Sequence, residues 1–274
     1  MDHARKRFAE LASGPDHRID LAEAALLIAQ EEYPWLDVAA YLRRLDELAA
    51  AAGSELRQGL APAERIARLN HFLFVECGFT GNSDDYYDAR NSFLNDVLDR
   101  RTGIPISLSL VYSEVAQRLD LPVYGVSFPG HFLVKYVGDE EIIIDPFFGT
   151  VISTDECAQR LRGIYGDEAR FDRRLLRPAT AREILVRMLS NLKQVYIQQS
   201  DFERALACVD RILLLAPDTP RELRDRGIIY QRLECFAAAL QNFERYLRLA
   251  PDDATAQVIR DLLPELQRQA AQLQ

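Results

Sequence analysis

The chain has 274 residues but only four cysteines, Cys77, Cys157, Cys208 and Cys235, with no Cys-x-x-Cys pair among them. That scarcity argues against a zinc ribbon and a disulfide framework, and the expectation is reduced, mostly buried thiols. The four histidines, His3, His17, His71 and His131, lack the His-Glu-x-x-His spacing of a metal-binding helix. No metal is expected, and without a nucleotide-binding loop or other fingerprint no cofactor is expected either. No apolar run reaches the ~18 residues that crossing a bilayer requires, so no membrane span is expected. Basic residues are also short, with 33 Lys and Arg against 42 Asp and Glu and a net charge of −9. Such a balance disfavours nucleic acid and anionic membranes, whose phosphates call for a basic surface. The N-terminus, Met-Asp-His-Ala-Arg-Lys-Arg-Phe, is basic without a following apolar core or small-residue cleavage site, so no signal peptide is read and a cytoplasmic protein is the expectation.

The acidic excess is unevenly divided. Residues 179–274 hold 13 basic and 13 acidic residues, leaving 20 against 29 in residues 1–178. Two domains are expected, 1–178 and 179–274. Helices lead the first. Asp37 is a candidate N-cap for Val38 to Ala52, where Val38, Tyr41, Leu42, Leu45 and Leu48 recur at helical spacing before Gly53. Pro62 to Cys77 reads as a further helix, closed by the turn-rich run from Gly78 to Asp85. Pro105 stands near the start of a helix from Ile106 to Leu119, where its missing N–H costs nothing. Tyr124 to Phe128, Phe132 to Val137 and Glu141 to Ile144 are aromatic and β-branched runs between turns, hence short antiparallel strands.

The second domain repeats itself. Tyr196 matches Tyr230, Phe202 matches Phe236, Ala205 matches Ala239, and Leu-Ala-Pro217-Asp matches Leu-Ala-Pro251-Asp. The constant offset of 34 residues is the period of the tetratricopeptide repeat. The small alanines let paired helices approach, and the prolines stop the second helix of each pair. Lys193 stands where the repeat ordinarily has a small residue, whereas the second repeat has Gly227. Two repeats are fewer than the ~3 of a self-sufficient solenoid. A helical segment from Ala254 to Leu273, with Pro264 a candidate kink, is expected to cap one end, and the N-terminal domain to cover the other.

The run Asn91-Ser92-Phe93-Leu94, the turn Arg101-Thr102-Gly103-Ile104-Pro105-Ile106-Ser107, the segment Phe128-Pro129-Gly130-His131-Phe132 and the strand end Asp145-Pro146-Phe147 together resemble the bacterial SirB-type family. That family joins a transglutaminase-like domain to tetratricopeptide repeats. The resemblance implies an α+β, mainly helical chain: a papain-like core of helices and a small antiparallel sheet, followed by an α-helical repeat domain. In active transglutaminase-like folds a Gly-x-Cys places a thiol at a helix N-terminus, where the dipole and a histidine lower its pKa. Laid on this sequence, that pattern puts Pro105 at the nucleophile position, while His131 and Asp145 align with the base and its orienting carboxylate.

Two functional classes follow. In one, Ser107 replaces the cysteine and works with His131 and Asp145 in acyl transfer or in hydrolysis of an amide or ester. Moving a nucleophile by two helical residues turns it roughly 200° about the axis, however. The competing role for Ser107 is to cap the helix or bond back to the turn. In the other class the chain is a non-catalytic protein-interaction or regulatory protein. Its repeat groove would carry Arg187, Gln194 and Gln198 from the first repeat and Arg221, Arg224, Gln231 and Arg232 from the second. Guanidinium groups so placed suit an acidic peptide or a C-terminal carboxylate, and the alternative is an ordinary solvated face. Cys77 and Cys157 read as core. Asp84, Asp85 and Asp88 lack the glycine and distal glutamate of a calcium loop and read as a solvated loop. Tyr86, Tyr87 and Phe93 line the cleft or pack in the core. The sequence leaves the oligomeric state open.

Overall fold

The computed structural model describes residues 3–56 and 59–272, and it divides into two compact units at Leu185 and Val186. The first unit begins with α1 (His3–Ser13), α2 (Leu21–Glu32) and α3 (Val38–Glu55). Asp37 caps α3 as expected, accepting the Ala40 N–H at 3.0 Å, and Asp20 caps α2 in the same way. The chain runs through Gly53 without ending α3, because the glycine tucks under Leu119 and the helix closes only at Glu55.

The single helix expected from Pro62 to Cys77 is two elements. α4 (Pro62–Asn70) passes directly into a π-helix, His71–Glu76. The wider winding rotates side chains out of the α-helical stripe, which leaves Val75 exposed although its spacing marks it as core. A two-residue β1 (Thr80–Gly81) then lies parallel to β2 (Thr102–Gly103), with α5 (Leu94–Arg100) between them in sequence.

Next comes α6 (Pro105–Arg118), which is buried along nearly its whole length and forms the centre of the unit. Its Tyr112 stacks on Phe74 and donates to Asn70 at 2.8 Å. Against α6 lies a meander of β3 (Val123–Val126), β4 (Leu133–Val137), β5 (Glu141–Asp145) and β6 (Thr150–Ile152), every neighbouring pair antiparallel. α7 (Thr154–Tyr165) completes the core with Cys157 and Leu161, which pack with Val126, Phe128, Leu133, Ile143 and Ile152. Ser153 and Glu156 form a reciprocal capping box that starts α7.

α8 (Ala181–Gln198) contains the division between the units. In the second unit follow α9 (Phe202–Leu215), α10 (Pro220–Arg232), α11 (Phe236–Leu249) and α12 (Ala256–Gln272). A Cβ at Gly227 would stand 2.5 Å from the Phe243 ring, so only glycine permits this approach of α10 to α11. α12 packs on α11 and contains Pro264 within a single helix. The last residue of the expected capping segment, Leu273, lies outside the described residues.

The buried thiols are Cys157 and Cys208; Cys77 is half-buried and Cys235, the N-cap of α11, is exposed. The expectation of mostly buried cysteines therefore holds for two of the four. Cys77 escapes the core because it follows the π-helical turn.

Candidate functional site

The turn before β4 fixes His131. Phe128-Pro129-Gly130-His131 closes with the His131 N–H donating to the Phe128 carbonyl at 3.1 Å, and Gly130 takes φ +70°. This is the setting in which a type II turn favours proline followed by glycine. A Cβ at Gly130 would also stand 2.4 Å from Ile164 of α7.

Asp145 ends β5 and is fully buried. His131 Nε2 lies 3.0 Å from each Asp145 carboxylate oxygen, the Phe147 N–H donates to Oδ1 at 3.0 Å, and the Arg160 guanidinium of α7 donates to Oδ2. Burial pushes the Asp145 carboxyl up, but hydrogen bonds and charge from His131 and Arg160 outweigh it and hold the group below the ordinary carboxylate value. The ionised carboxylate only accepts, so Nε2 carries the proton toward it, and Nδ1 is the nitrogen left for other work. His131 and Asp145 are thus in direct hydrogen-bond contact.

Ser107 does something different. Fully buried in the first turn of α6, it donates to the Asn91 carbonyl at 2.6 Å, approaches the Ile104 carbonyl at 3.1 Å, and accepts the Ile104 N–H at 3.1 Å. This is the capping and turn-bonding geometry. Pro105 opens the helix and is buried beside it, without an N–H or a nucleophilic atom. Among the described residues no hydrogen bond joins Ser107 to His131.

Burial pushes Cys157 up to about 11 and Cys208 up to about 12, and it raises Cys77 against the opposing charge of Arg101. Thiols so shifted are scarcely ionised at neutral pH.

Two residues of this region went unassigned from the sequence. Arg160 could have been found from the capping box Ser153-Thr154-Asp155-Glu156, which announces α7 and so brings a basic residue near the β5 end. Asn91 is also fully buried. Its amide donates to the Asp85 carbonyl at 2.7 Å and the Tyr86 carbonyl at 3.3 Å, and its side-chain oxygen accepts from Asn82 at 3.0 Å. Nothing in the spacing of Asn91 signals that role. Phe93 is core, whereas Tyr86 and Tyr87 face solvent.

In the repeat unit, Arg187 and Gln231 are half-buried, and Gln194, Gln198, Arg221 and Arg232 are exposed. Arg224 is tied to Asp225 at 3.0 Å and to Thr255 at 3.2 Å, and Arg232 lies over the Phe202 ring. Lys193 is buried, donating to Glu222 at 2.7 Å and to Asp225 at 2.8 Å. No helix among the described residues is long and apolar enough to cross a membrane, and no group of three or more His, Cys, Asp or Glu there could hold a metal ion.

Comparison with known proteins agrees with this architecture. The profile of the transglutaminase-like superfamily matches residues 39–190, and a tetratricopeptide repeat profile matches residues 192–264. A UPF0162 protein of Xylella fastidiosa is 42% identical over 267 residues, covering 96% of this chain and 95% of the relative. A UPF0162 protein of Pseudomonas aeruginosa is 36% identical and covers 87% of each chain. Protein SirB1 of Salmonella typhimurium is 30% identical, covering 79% of this chain and 81% of its own. The chain therefore belongs to the SirB1 and UPF0162 family, which joins a transglutaminase-like domain to tetratricopeptide repeats.

Proposed function

We propose that the chain is a non-catalytic protein-interaction or regulatory protein of the cytoplasm, built on a transglutaminase-like domain that has lost its nucleophile. The observation that carries this reading is the Ser107 hydroxyl, whose proton goes to the Asn91 carbonyl and whose lone pair takes the Ile104 N–H. A serine so committed is a structural clasp, and activating it would break a buried hydrogen bond before any chemistry began. The repeats supply a second surface, and Arg221 and Arg232 are the exposed arginines among its groove candidates for an acidic peptide partner.

The competing reading is a serine-dependent acyl transferase or hydrolase using Ser107, His131 and Asp145. It is favoured by the orientation of His131, whose Nδ1 is left for a reacting group once Nε2 is bound to Asp145. A fluorophosphonate probe separates the two. No labelling of the wild-type chain is expected, and labelling that disappears in Ser107→Ala would establish the enzyme instead.

A further inference from the structure

The loop from Asn82 to Asp88 presents a run of exposed side chains. Ser83, Asp84, Asp85, Tyr86 and Tyr87 are all exposed, with Tyr86 at 41% and Tyr87 at 59%. Its backbone, in contrast, is held from below. The buried Asn91 amide grips the Asp85 and Tyr86 carbonyls, Asn82 Oδ1 accepts the Asp85 N–H at 3.0 Å, and Ser107 fixes Asn91 in turn. Exposed aromatic side chains on a fixed backbone have little ordering entropy left to lose when a ligand binds.

Those tyrosines begin a chain of rings that crosses to His131. Tyr87 meets Tyr86 edge-on at 5.4 Å, Tyr86 meets Phe147 at 6.2 Å, and Phe147 meets Phe148 edge-on at 5.0 Å. His131 stacks on Phe148, which is 62% exposed, and sets its edge to Phe147. Gly81 permits the arrangement, since a Cβ there would stand 2.5 Å from the Phe147 ring.

The two ends of this ladder differ in charge. At the Phe148 end Arg160 lies over the ring at 5.7 Å and is paired with Asp145. At the tyrosine end Asp84 and Asp85 are exposed, and among the described residues their carboxylates have neither an ion pair nor a hydrogen bond. The nearby cation Arg90 is occupied by Asp88 at 2.8 Å. The surplus of nine acidic residues in 1–178 extends the same bias over a longer range.

We propose that this ladder is a docking site for a short basic peptide segment, with a lysine or arginine placed among Tyr86, Tyr87, Asp84 and Asp85 and an adjacent apolar side chain on Phe148. Tyrosine faces and unpaired carboxylates together favour a cation, whereas Arg160 repels one at the other end and leaves that ring to apolar contact. The inference rests on the non-catalytic reading and gives the cleft of the first unit a ligand chemistry. In this arrangement the Ser107 clasp holds the binding loop through Asn91.

The test uses the full chain and an acetylated, amidated six-residue peptide alternating lysine and leucine, titrated by calorimetry at low salt. A glutamine and leucine peptide of the same length is the comparison. Saturable binding of the lysine peptide is expected, with the glutamine peptide at least about tenfold weaker. Tyr87→Ala, and separately Asp84→Asn with Asp85→Asn, should each weaken binding about three- to tenfold. Asp139→Asn with Glu140→Gln, two exposed acids in the β4–β5 turn, should leave it unchanged. Equal affinity for the two peptides, absence of saturable binding, or equal losses from the two acid pairs would each overturn the proposal. None of these results would alter the outcome of the fluorophosphonate experiment, so the two readings fail separately.

Discussion

Each of the two units buries a cluster of charge, and the two are arranged as electrostatic opposites. In the first unit a carboxylate is central: Asp145 is surrounded by His131, Arg160 and the Phe147 N–H. In the repeat unit an ammonium is central: Lys193 is surrounded by Glu222 and Asp225. Their access to solvent differs as well. The Lys193 and Glu222 side chains are almost wholly enclosed, whereas the Asp145 cluster opens through His131 onto exposed Phe148 and the tyrosine loop. A buried charge needs partners in either setting. Asp225 is about as exposed as His131, at 17% against 16%, so the wider opening of the Asp145 cluster comes from Arg160 at 31% and from Phe148 beside it.

The comparison is broken most severely by removing a central charge. Lys193→Ala should leave two carboxylates facing each other in the repeat unit and cost about 3–5 kcal/mol. The check is chemical unfolding followed by far-ultraviolet circular dichroism, because the only tryptophan, Trp35, lies in the first unit and is 84% exposed. Adding Glu222→Gln should recover part of the loss. A Lys193→Ala variant as stable as wild type would mean that the repeat closes around a small residue at this position without the ions.

Removing a peripheral partner should cost less. His131→Ala leaves Asp145 with Arg160 and the Phe147 N–H, so a loss of about 1–3 kcal/mol is expected in the unfolding transition followed by circular dichroism. An unchanged transition would show that the His131 and Asp145 contact contributes nothing to folding. Ser107→Ala tests the clasp and is expected near the lower end of the same range, about 1–2 kcal/mol, since it removes the hydroxyl that bridges the Asn91 carbonyl and the Ile104 N–H and leaves them only their direct 3.4 Å bond. A Ser107→Ala chain with wild-type stability would remove the structural role assigned to that hydroxyl.

The two units were not equally legible in the sequence. The repeat unit was readable because Tyr196, Ala205 and Pro217 recur 34 residues later, and one period fixes helix length, pairing and turns together. In the first unit Pro105, the Pro129-Gly130 turn and the three aliphatic strands were readable from local backbone preference. The π-helical turn at His71 was not, since a single extra residue per turn leaves an apolar pattern that still scans as α-helical. The short β1 and β2 pairing depends on contacts between distant residues and has no periodicity at all. His131 and Asp145 are legible through the family resemblance, whereas the partners of Arg160 and Asn91 come together only where the fold sets α7 beside the end of β5 and the Asn82 loop over Asn91. Lys193 was recognised as a departure from the repeat, but its compensation by Glu222 and Asp225 lies a full helix pair away in sequence.

The smallest expected effect concerns acid. Asp145 has its carboxyl held below its ordinary value of 3.8 in the folded chain, so folding favours the ionised form. The associated stability is fully present above 3.8 and is lost as pH falls through the lower folded value. The stability difference between wild type and Asp145→Asn should therefore shrink once the pH drops below 3.8. Denaturant midpoints of both chains, measured at a series of pH values across that limit, provide the check. A gap that does not shrink in that acid range would mean that Arg160 and His131 support the shape of the Asp145 side chain and not its charge, and the opposition between the two buried clusters would then reduce to geometry.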